Sequence, residues 1–141
     1  MKDVTLKIFT LLSHTPIMAL GINFHGHWKF IDDSNEILKS LFAKKDEAFK
    51  KTLGDDYNIQ GQIIFRKGNQ KISLKFEPSN KIQNGIYFGA NFHSEIETRR
   101  AEQVIQIITE NYEKNLNDTI KIVQALLGEP KETWIPKRQK P

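Results

Sequence analysis

Residues 57–76 have the sequence YNIQGQIIFRKGNQKISLKF, and their pattern indicates the fold class. Apolar residues alternate with polar ones on both sides of the turn Lys67-Gly68-Asn69-Gln70. Alternation with a period of two is typical of strands that bury one side, and a short glycine-containing turn between two such strands is typical of a β-hairpin. The stretch therefore predicts two antiparallel strands with one apolar face and one polar face, and Pro78 predicts the end of the second strand.

Two further stretches show the same alternation, residues 17–30 and residues 87–93. Their apolar positions are Ile22, Phe24, Trp28 and Phe30 in the first and Phe88, Ala90 and Phe92 in the second. The last three of the four predicted strands follow one another with short connections, which predicts an antiparallel meander.

Apolar residues at helical spacing predict two helices before the hairpin. Residues 4–13 fit a helix capped by Asp3, and they also fit a strand. The following Ser13-His14-Thr15-Pro16 is typical of a helix end, because a proline disfavours helical geometry in the residue before it, and this favours the helix. The second helix runs from Asp33, which forms a capping-box pattern with Glu36, to Gly54. Its apolar stripe is Leu38, Leu41, Phe42, Phe49 and Leu53.

A long helix is predicted from the capping-box pair Ser94 and Glu97 to Leu127. Its stripe is Val104, Ile108, Tyr112, Leu116, Ile120, Val123 and Leu127. Such a helix would be about 45 Å long at the usual rise per residue, whereas a globule of this size is roughly 35 Å across. We therefore expect either a break within residues 111–117 or a helix end that extends beyond the sheet.

These elements predict an α+β two-layer sandwich, in which an antiparallel sheet of about four strands carries helices on one face and a long C-terminal helix. Residues 1–130 are predicted to form a single domain, and residues 131–141 a mobile basic tail. The predicted core consists of Phe24, Trp28, Leu38, Phe42, Phe65, Leu74, Phe88, Phe92, Ile108 and Tyr112.

Composition excludes several classes of function. The chain has 141 residues and no cysteine, which excludes thiol catalysis, thiolate metal sites and disulfides. The net charge of +4 comes from scattered lysines, so nucleic-acid binding is expected to be weak at best. No apolar run approaches the length of a membrane span, and a cytoplasmic location is expected. The sequence contains no phosphate-binding glycine loop and no nucleophile elbow, and it predicts no cofactor.

One pentapeptide recurs with a single change. Gly-Ile-Asn-Phe-His at residues 21–25 returns as Gly-Ala-Asn-Phe-His at residues 89–93, in both cases on a predicted strand. If the two strands were neighbours, His25, His27 and His93 would share one side of the sheet. Three imidazoles can form a metal site, but the pattern is too short to be specific, and an exposed or oligomer-buried polar face is the stronger interpretation.

Arg99 and Arg100 begin the long helix, where positive charge opposes the helix dipole. Ion pairs with Glu95, Glu97 and Glu102 are the favoured interpretation, and binding of an acidic partner is the alternative.

The polar side of the predicted sheet is rich in neutral side chains, which are desolvated at lower cost than ions. This pattern favours a non-enzymatic binding or assembly protein that forms a homo-oligomer or binds a protein partner. The first alternative is a nucleic-acid-binding protein, and the second is a histidine-dependent metal protein or enzyme. The predicted partner-binding residues are Asn23, His25, His27, Gln60, Gln62, Asn91 and His93 on the sheet and Ile120, Val123 and Leu127 on the long helix.

Overall fold

The computed structural model describes residues 2–134. Its elements, in chain order, are α1 (Lys2–Leu11), β1 (Ala19–Lys29), α2 (Ser34–Phe42), α3 (Asp46–Leu53), β2 (Gly61–Lys67), β3 (Gln70–Pro78), β4 (Gly85–Glu95), α4 (Ala101–Leu127) and β5 (Glu132–Trp134). The described strands form one sheet in the order β2-β3-β4-β1-β5. The α+β class, the antiparallel sheet and the long C-terminal helix are confirmed, and α1 is a helix rather than a strand.

The predicted strand count was one too low, because β5 lies where a mobile tail was expected. β5 pairs antiparallel with β1, with Trp134 opposite His27 and Glu132 opposite Lys29. The Lys131 N–H donates to the Lys29 carbonyl at 2.8 Å, and the Lys29 ammonium lies 3.8 Å from the Glu132 carboxylate. A strand of three residues carries no readable alternation. The rest of the predicted tail, with Lys137, Arg138 and Lys140, lies outside the described residues.

The strands that carry the repeated pentapeptide, β1 and β4, are neighbours in the sheet. The Ile96 N–H donates to the Met18 carbonyl at 2.9 Å, and the Phe30 N–H donates to the Asn84 carbonyl at 3.1 Å. Both bonds belong to a single antiparallel register, in which residue 23 lies opposite residue 91.

By its internal contacts the chain divides into two compact units. The first unit comprises Met1–Phe24, Ile64–Ser73 and Ala90–Lys121, and the second comprises His25–Ile63, Leu74–Gly89 and Ile122–Pro141. Strands β1 to β4 and helix α4 each contribute residues to both units.

The core of the first unit is aromatic at its centre. The ring of Phe24 packs edge-on against Phe92 and Tyr112, with centroids 5.9 and 5.2 Å apart. Its buried apolar residues are Ile22, Phe24, Ile72, Ala90, Phe92, Ile96, Ala101, Val104 and Ile108. Tyr112 is half-buried and carries the Lys2 ammonium 5.8 Å above its ring, where α1 contacts α4.

The core of the second unit is built around Trp28, whose ring lies 5.3 Å from that of Phe88. Its buried apolar residues are Trp28, Phe30, Leu38, Ala43, Leu74, Phe76, Ile86, Phe88, Val123 and Leu127. The predicted core residues are confirmed as buried except Phe42, Phe65 and Tyr112, which are half-buried.

The helix predicted between Asp33 and Gly54 is in fact two helices, α2 and α3. Its ends are as predicted: the Asp33 carboxylate accepts the N–H groups of Asn35 at 2.7 Å and Glu36 at 3.3 Å, and Gly54 caps α3 with a φ of 82°. The charged residues 44–47 offer no apolar side chain that would hold a continuous helix against the core. Phe49 and Leu53 of α3 are accordingly exposed.

Helix α4 is one continuous helix of 27 residues, about 40 Å long. It begins at Ala101 rather than near Ser94, which lies buried in β4 and accepts a hydrogen bond from Gln70 Nε2 at 3.1 Å. A break within residues 111–117, one of the two predicted alternatives, is absent from the described helix, and Asn115 is buried within it. The Thr119 hydroxyl, also buried, donates to the Asn115 carbonyl at 2.7 Å.

Candidate interaction surfaces

Two asparagines of the first unit, one on β1 and one on β4, form a bonded pair on the polar side of the sheet. The Asn91 Nδ2 donates to the Asn23 Oδ1 at 2.8 Å. The two residues face each other at a position without backbone hydrogen bonds, where opposing side chains approach most closely. Asn23 is exposed and Asn91 is half-buried, so water reaches this amide pair.

The amide pair presents both a donor and an acceptor to solvent. Its internal bond uses the Asn23 carbonyl and one N–H of Asn91, which leaves the Asn23 amide N–H groups and the Asn91 carbonyl. Neither side chain has another hydrogen bond within the described residues. Because the free donor lies beside the free acceptor, the pair can form hydrogen bonds with the same pair of a second copy that is rotated by 180°.

In the second unit, His27 is buried rather than open to a partner. Its Nδ1 lies 2.8 Å from the Ser79 hydroxyl, which also accepts the N–H groups of Lys81 at 3.1 Å and Ile82 at 3.0 Å. Because that oxygen already accepts two bonds, its hydrogen is free to bond Nδ1, which favours the neutral imidazole with its proton on Nε2.

Several groups around His27 influence its protonation. Burial lowers the pKa of His27, the charges of Lys81 and His25 lower it further, and Glu77 opposes them. The Tyr87 ring lies 5.1 Å from the imidazole on the neighbouring strand. His27 therefore belongs to a covered contact between β1 and the residue 79–82 turn.

The repeated pentapeptide does not assemble a metal site. In the antiparallel register, each histidine of the repeat lies opposite the glycine of the other copy, so that His25 faces Gly89 and His93 faces Gly21. Among residues 2–134 no group of three histidine, aspartate or glutamate side chains could hold a metal ion.

The remaining predicted partner-binding residues fall into two groups. Gln60, just before β2, and Gln62, within it, are exposed, as is His25. On α4, Val123 and Leu127 are buried and Ile120 is half-buried. The chain itself covers the end of the helical stripe, so this stripe no longer gives a reason to expect a partner there.

Helix α1 exposes an apolar stripe that the sequence showed without indicating which way it would face. The stripe consists of Val4, Ile8, Leu11 and Leu12, which are between 46% and 84% exposed. The other side of the helix, with Leu6 and Phe9, is only half-buried, and α1 has no buried residue. A helix that is apolar on its outer side is unusual for a chain without a partner.

The second unit also contains a polar network that sequence reasoning missed. The buried Lys39 ammonium lies 3.1 Å from the Glu36 carboxylate and 4.5 Å above the Tyr57 ring. The Tyr57 hydroxyl donates to the Asp46 carboxylate, and the Lys50 ammonium lies 2.9 Å from it. These contacts tie α2, α3 and the segment before β2 together.

The network shifts two pKa values in opposite directions. Burial and the hydrogen bond to Asp46 raise the pKa of Tyr57 to about 12. The hydrogen bonds from Tyr57 and Lys50 lower the pKa of Asp46. The arrangement keeps tyrosine neutral and aspartate charged, which stabilises the network and provides no proton acceptor near neutral pH.

The first unit also has an open cleft of about 370 Å³ where the end of α1 approaches the start of α4. It is lined by Ser13, His14, Thr15, Pro16, Arg99, Arg100 and Glu102. The two sides are joined where the Ile17 N–H donates to the Arg99 carbonyl at 3.1 Å.

The predicted ion pairs of Arg99 and Arg100 are wrong. In the part of the chain that the structure describes, neither guanidinium pairs with a carboxylate.

Comparisons with protein-family models, with curated proteins and with solved structures found no match to this chain. None of the helices within residues 2–134 combines the length and the apolar character that a membrane span requires.

Proposed function

We propose that the protein is a non-enzymatic binding or assembly protein that self-associates through the polar side of its sheet. The observation that supports this most directly is the exposed amide pair of Asn23 and Asn91. A cytoplasmic location, expected from the sequence, belongs to the same proposal, and cell fractionation would test it.

The chemistry of the amide pair favours a second copy of the chain over an unrelated partner. Under a twofold axis, the Asn23 N–H groups of one copy meet the Asn91 carbonyl of the other, because the same surface patch lies on both sides of such an interface. The chain carries a net charge of +4, yet the amide pair is neutral. The amide pair itself therefore adds no like-charge repulsion between two copies.

The apolar stripe of α1 provides a second reason to expect association. Through Lys2, α1 contacts Tyr112 of α4, on the side of the sheet away from the amide pair, so its stripe would form a second contact surface and not the apolar core of the amide contact. Val4, Ile8, Leu11 and Leu12 together form an exposed apolar face on one helix. A second copy would remove this face from water.

Light scattering after size-exclusion chromatography tests the proposal. At tens of micromolar we expect a mass of at least twice the 16.4 kDa of one chain. Asn23→Asp is the informative variant, because an aspartate oxygen still accepts the hydrogen bond from Asn91 within the chain. It places two like charges near each other across the twofold axis, so the measured mass should decrease toward that of one chain.

Asn117→Asp is the matched control, because Asn117 is exposed on α4 and the variant changes the net charge by the same amount. We expect it to leave the mass unchanged. A wild-type chain that is monomeric at these concentrations would refute self-association. An oligomer that resists Asn23→Asp would show that the amide pair is not in the interface.

A further inference from the structure

The cleft between residues 13–16 and the start of α4 has the composition of an anion-binding site. Arg99 and Arg100 line it, together with His14, Ser13 and Thr15. The cleft has a volume of about 370 Å³ and is open to solvent on one side.

Local stability does not explain the two arginines. They directly precede a helix of 27 residues, where the helix dipole disfavours positive charge. The carboxylates nearest in sequence, Glu95, Glu97 and Glu102, could offset that cost, but within residues 2–134 none of them pairs with Arg99 or Arg100. Both residues are exposed and line the cleft.

The residues that line the cleft carry groups that can donate hydrogen bonds to a phosphate. A guanidinium offers parallel N–H groups that bond two phosphate oxygens at once, and such charge-assisted bonds are stronger than neutral ones. The hydroxyls of Ser13 and Thr15 can donate to further oxygens.

Glu102 restricts the kind of anion that fits. Glu102 lines the same cleft, and its negative charge would repel a second anionic group. It can accept a hydrogen bond from a hydroxyl of the ligand. We propose that this cleft binds a small phosphate monoester that also carries hydroxyl groups, with the phosphate on the arginines and a hydroxyl on Glu102.

Calorimetric titration of the full chain with four probes at constant ionic strength tests this site. The probes are ribose 5-phosphate, inorganic phosphate, ribose and a single-stranded thymidine 12-mer. We expect saturable binding of ribose 5-phosphate, weaker binding of inorganic phosphate and no binding of ribose.

Two variants remove the guanidinium groups. Arg100→Gln keeps a polar side chain, and Arg99→Gly suits a residue whose φ is 55°, in the left-handed region that glycine adopts without strain. Each should weaken ribose 5-phosphate binding about tenfold or more, the usual effect of losing a charge-assisted bond. Arg66→Gln, which removes an exposed arginine of β2, is the matched control and should change the affinity less than about twofold.

Glu102→Gln tests whether the cleft prefers a phosphate monoester with hydroxyl groups or binds anions in general. It should strengthen binding of inorganic phosphate and reduce the preference for ribose 5-phosphate over it. Equal affinity of the wild type for these two probes would overturn the role of Glu102 and with it the ligand class. Three results would overturn the site as proposed. They are the absence of saturable phosphate binding, an effect of Arg66→Gln equal to that of Arg100→Gln, and tighter binding of the oligonucleotide than of ribose 5-phosphate.

Discussion

Replacing Phe24 by alanine tests whether strand β1 faces the core as described. Phe24 is 8% exposed and its ring packs edge-on against Phe92 and Tyr112. Removal of a buried phenylalanine ring costs about 3–5 kcal/mol in unfolding free energy, including the cavity that remains. The lost aromatic pairs are each worth about 0.5–1.5 kcal/mol beyond area burial, so we expect the upper half of that range.

The measurement is urea unfolding followed by far-ultraviolet circular dichroism, with the free energy extrapolated to water. Phe49→Ala is a chemically identical control on α3, where the ring is 42% exposed and has one described aromatic neighbour, Tyr57. It should cost less than about 1.5 kcal/mol, because much of the ring already faces water.

A cost below about 1 kcal/mol for Phe24→Ala, or equal costs for the two variants, would refute this description of the core. A shift of one residue in the register of β1 would move Phe24 to the polar side and bring Asn23 inside. The same result would therefore also remove the amide pair from the surface.

Three further predictions concern α1, the His27 contact and the approach of β2 to α2. Leu11→Lys should reduce the oligomer mass seen by light scattering, while Thr10→Lys, on another side of α1, should not; equal effects would exclude the apolar stripe from the interface. The pKa of His27 in the folded state is lowered from 6.5, so the unfolded state binds the proton more readily. The free energy of unfolding should therefore fall as the pH decreases from about 6.5 to that lower pKa, by up to about 1.4 kcal/mol per pH unit. Urea unfolding at pH 5–7 should show this slope, and His27→Gln should remove it. Gly61→Ala should cost about 1–3 kcal/mol in the same assay, because its Cβ would overlap the Phe42 ring; an unchanged midpoint would contradict that close approach.

The strands were predictable because a period of two is unambiguous over seven or more residues. Ile72, Leu74 and Phe76 of β3 alternate with polar residues and are fully buried. The repeated pentapeptide left it open whether β1 and β4 are neighbours, and the bonded pair of Asn23 and Asn91 was not predicted. The strand β5 was not predictable, because its three residues pair through their backbone with β1.

The stripe predicted for α4 was partly wrong for a geometric reason. Each step of four residues rotates the side-chain direction by about 40°, so four such steps from Val104 to Ile120 rotate it by about 160°. Ile120 therefore lies at the edge of the buried arc and is half-buried. Asn115 and Thr119 lie inside that arc and are buried although they are polar.

The cleft could not be predicted from the sequence, because its two sides are more than eighty residues apart in the chain. Arg99 and Arg100 were recognised as unusual at a helix start, but local pairing with glutamates was the more common explanation. What brings them to Ser13 and Thr15 is the bond between the Ile17 N–H and the Arg99 carbonyl, next to the paired ends of β1 and β4.

The amide pair and the α1 stripe would contribute differently to association. A hydrogen bond exchanged with water is worth only about 0.5–1.5 kcal/mol net, so the amides mainly fix the orientation of two copies. Leu11 is 84% exposed, and its full burial would contribute about 1.5–3 kcal/mol per copy. Loss of Leu11 should therefore weaken association in proportion to the buried area and with little dependence on salt. The repulsion introduced at Asn23 should instead be relieved by added salt, because ions screen charges near the surface.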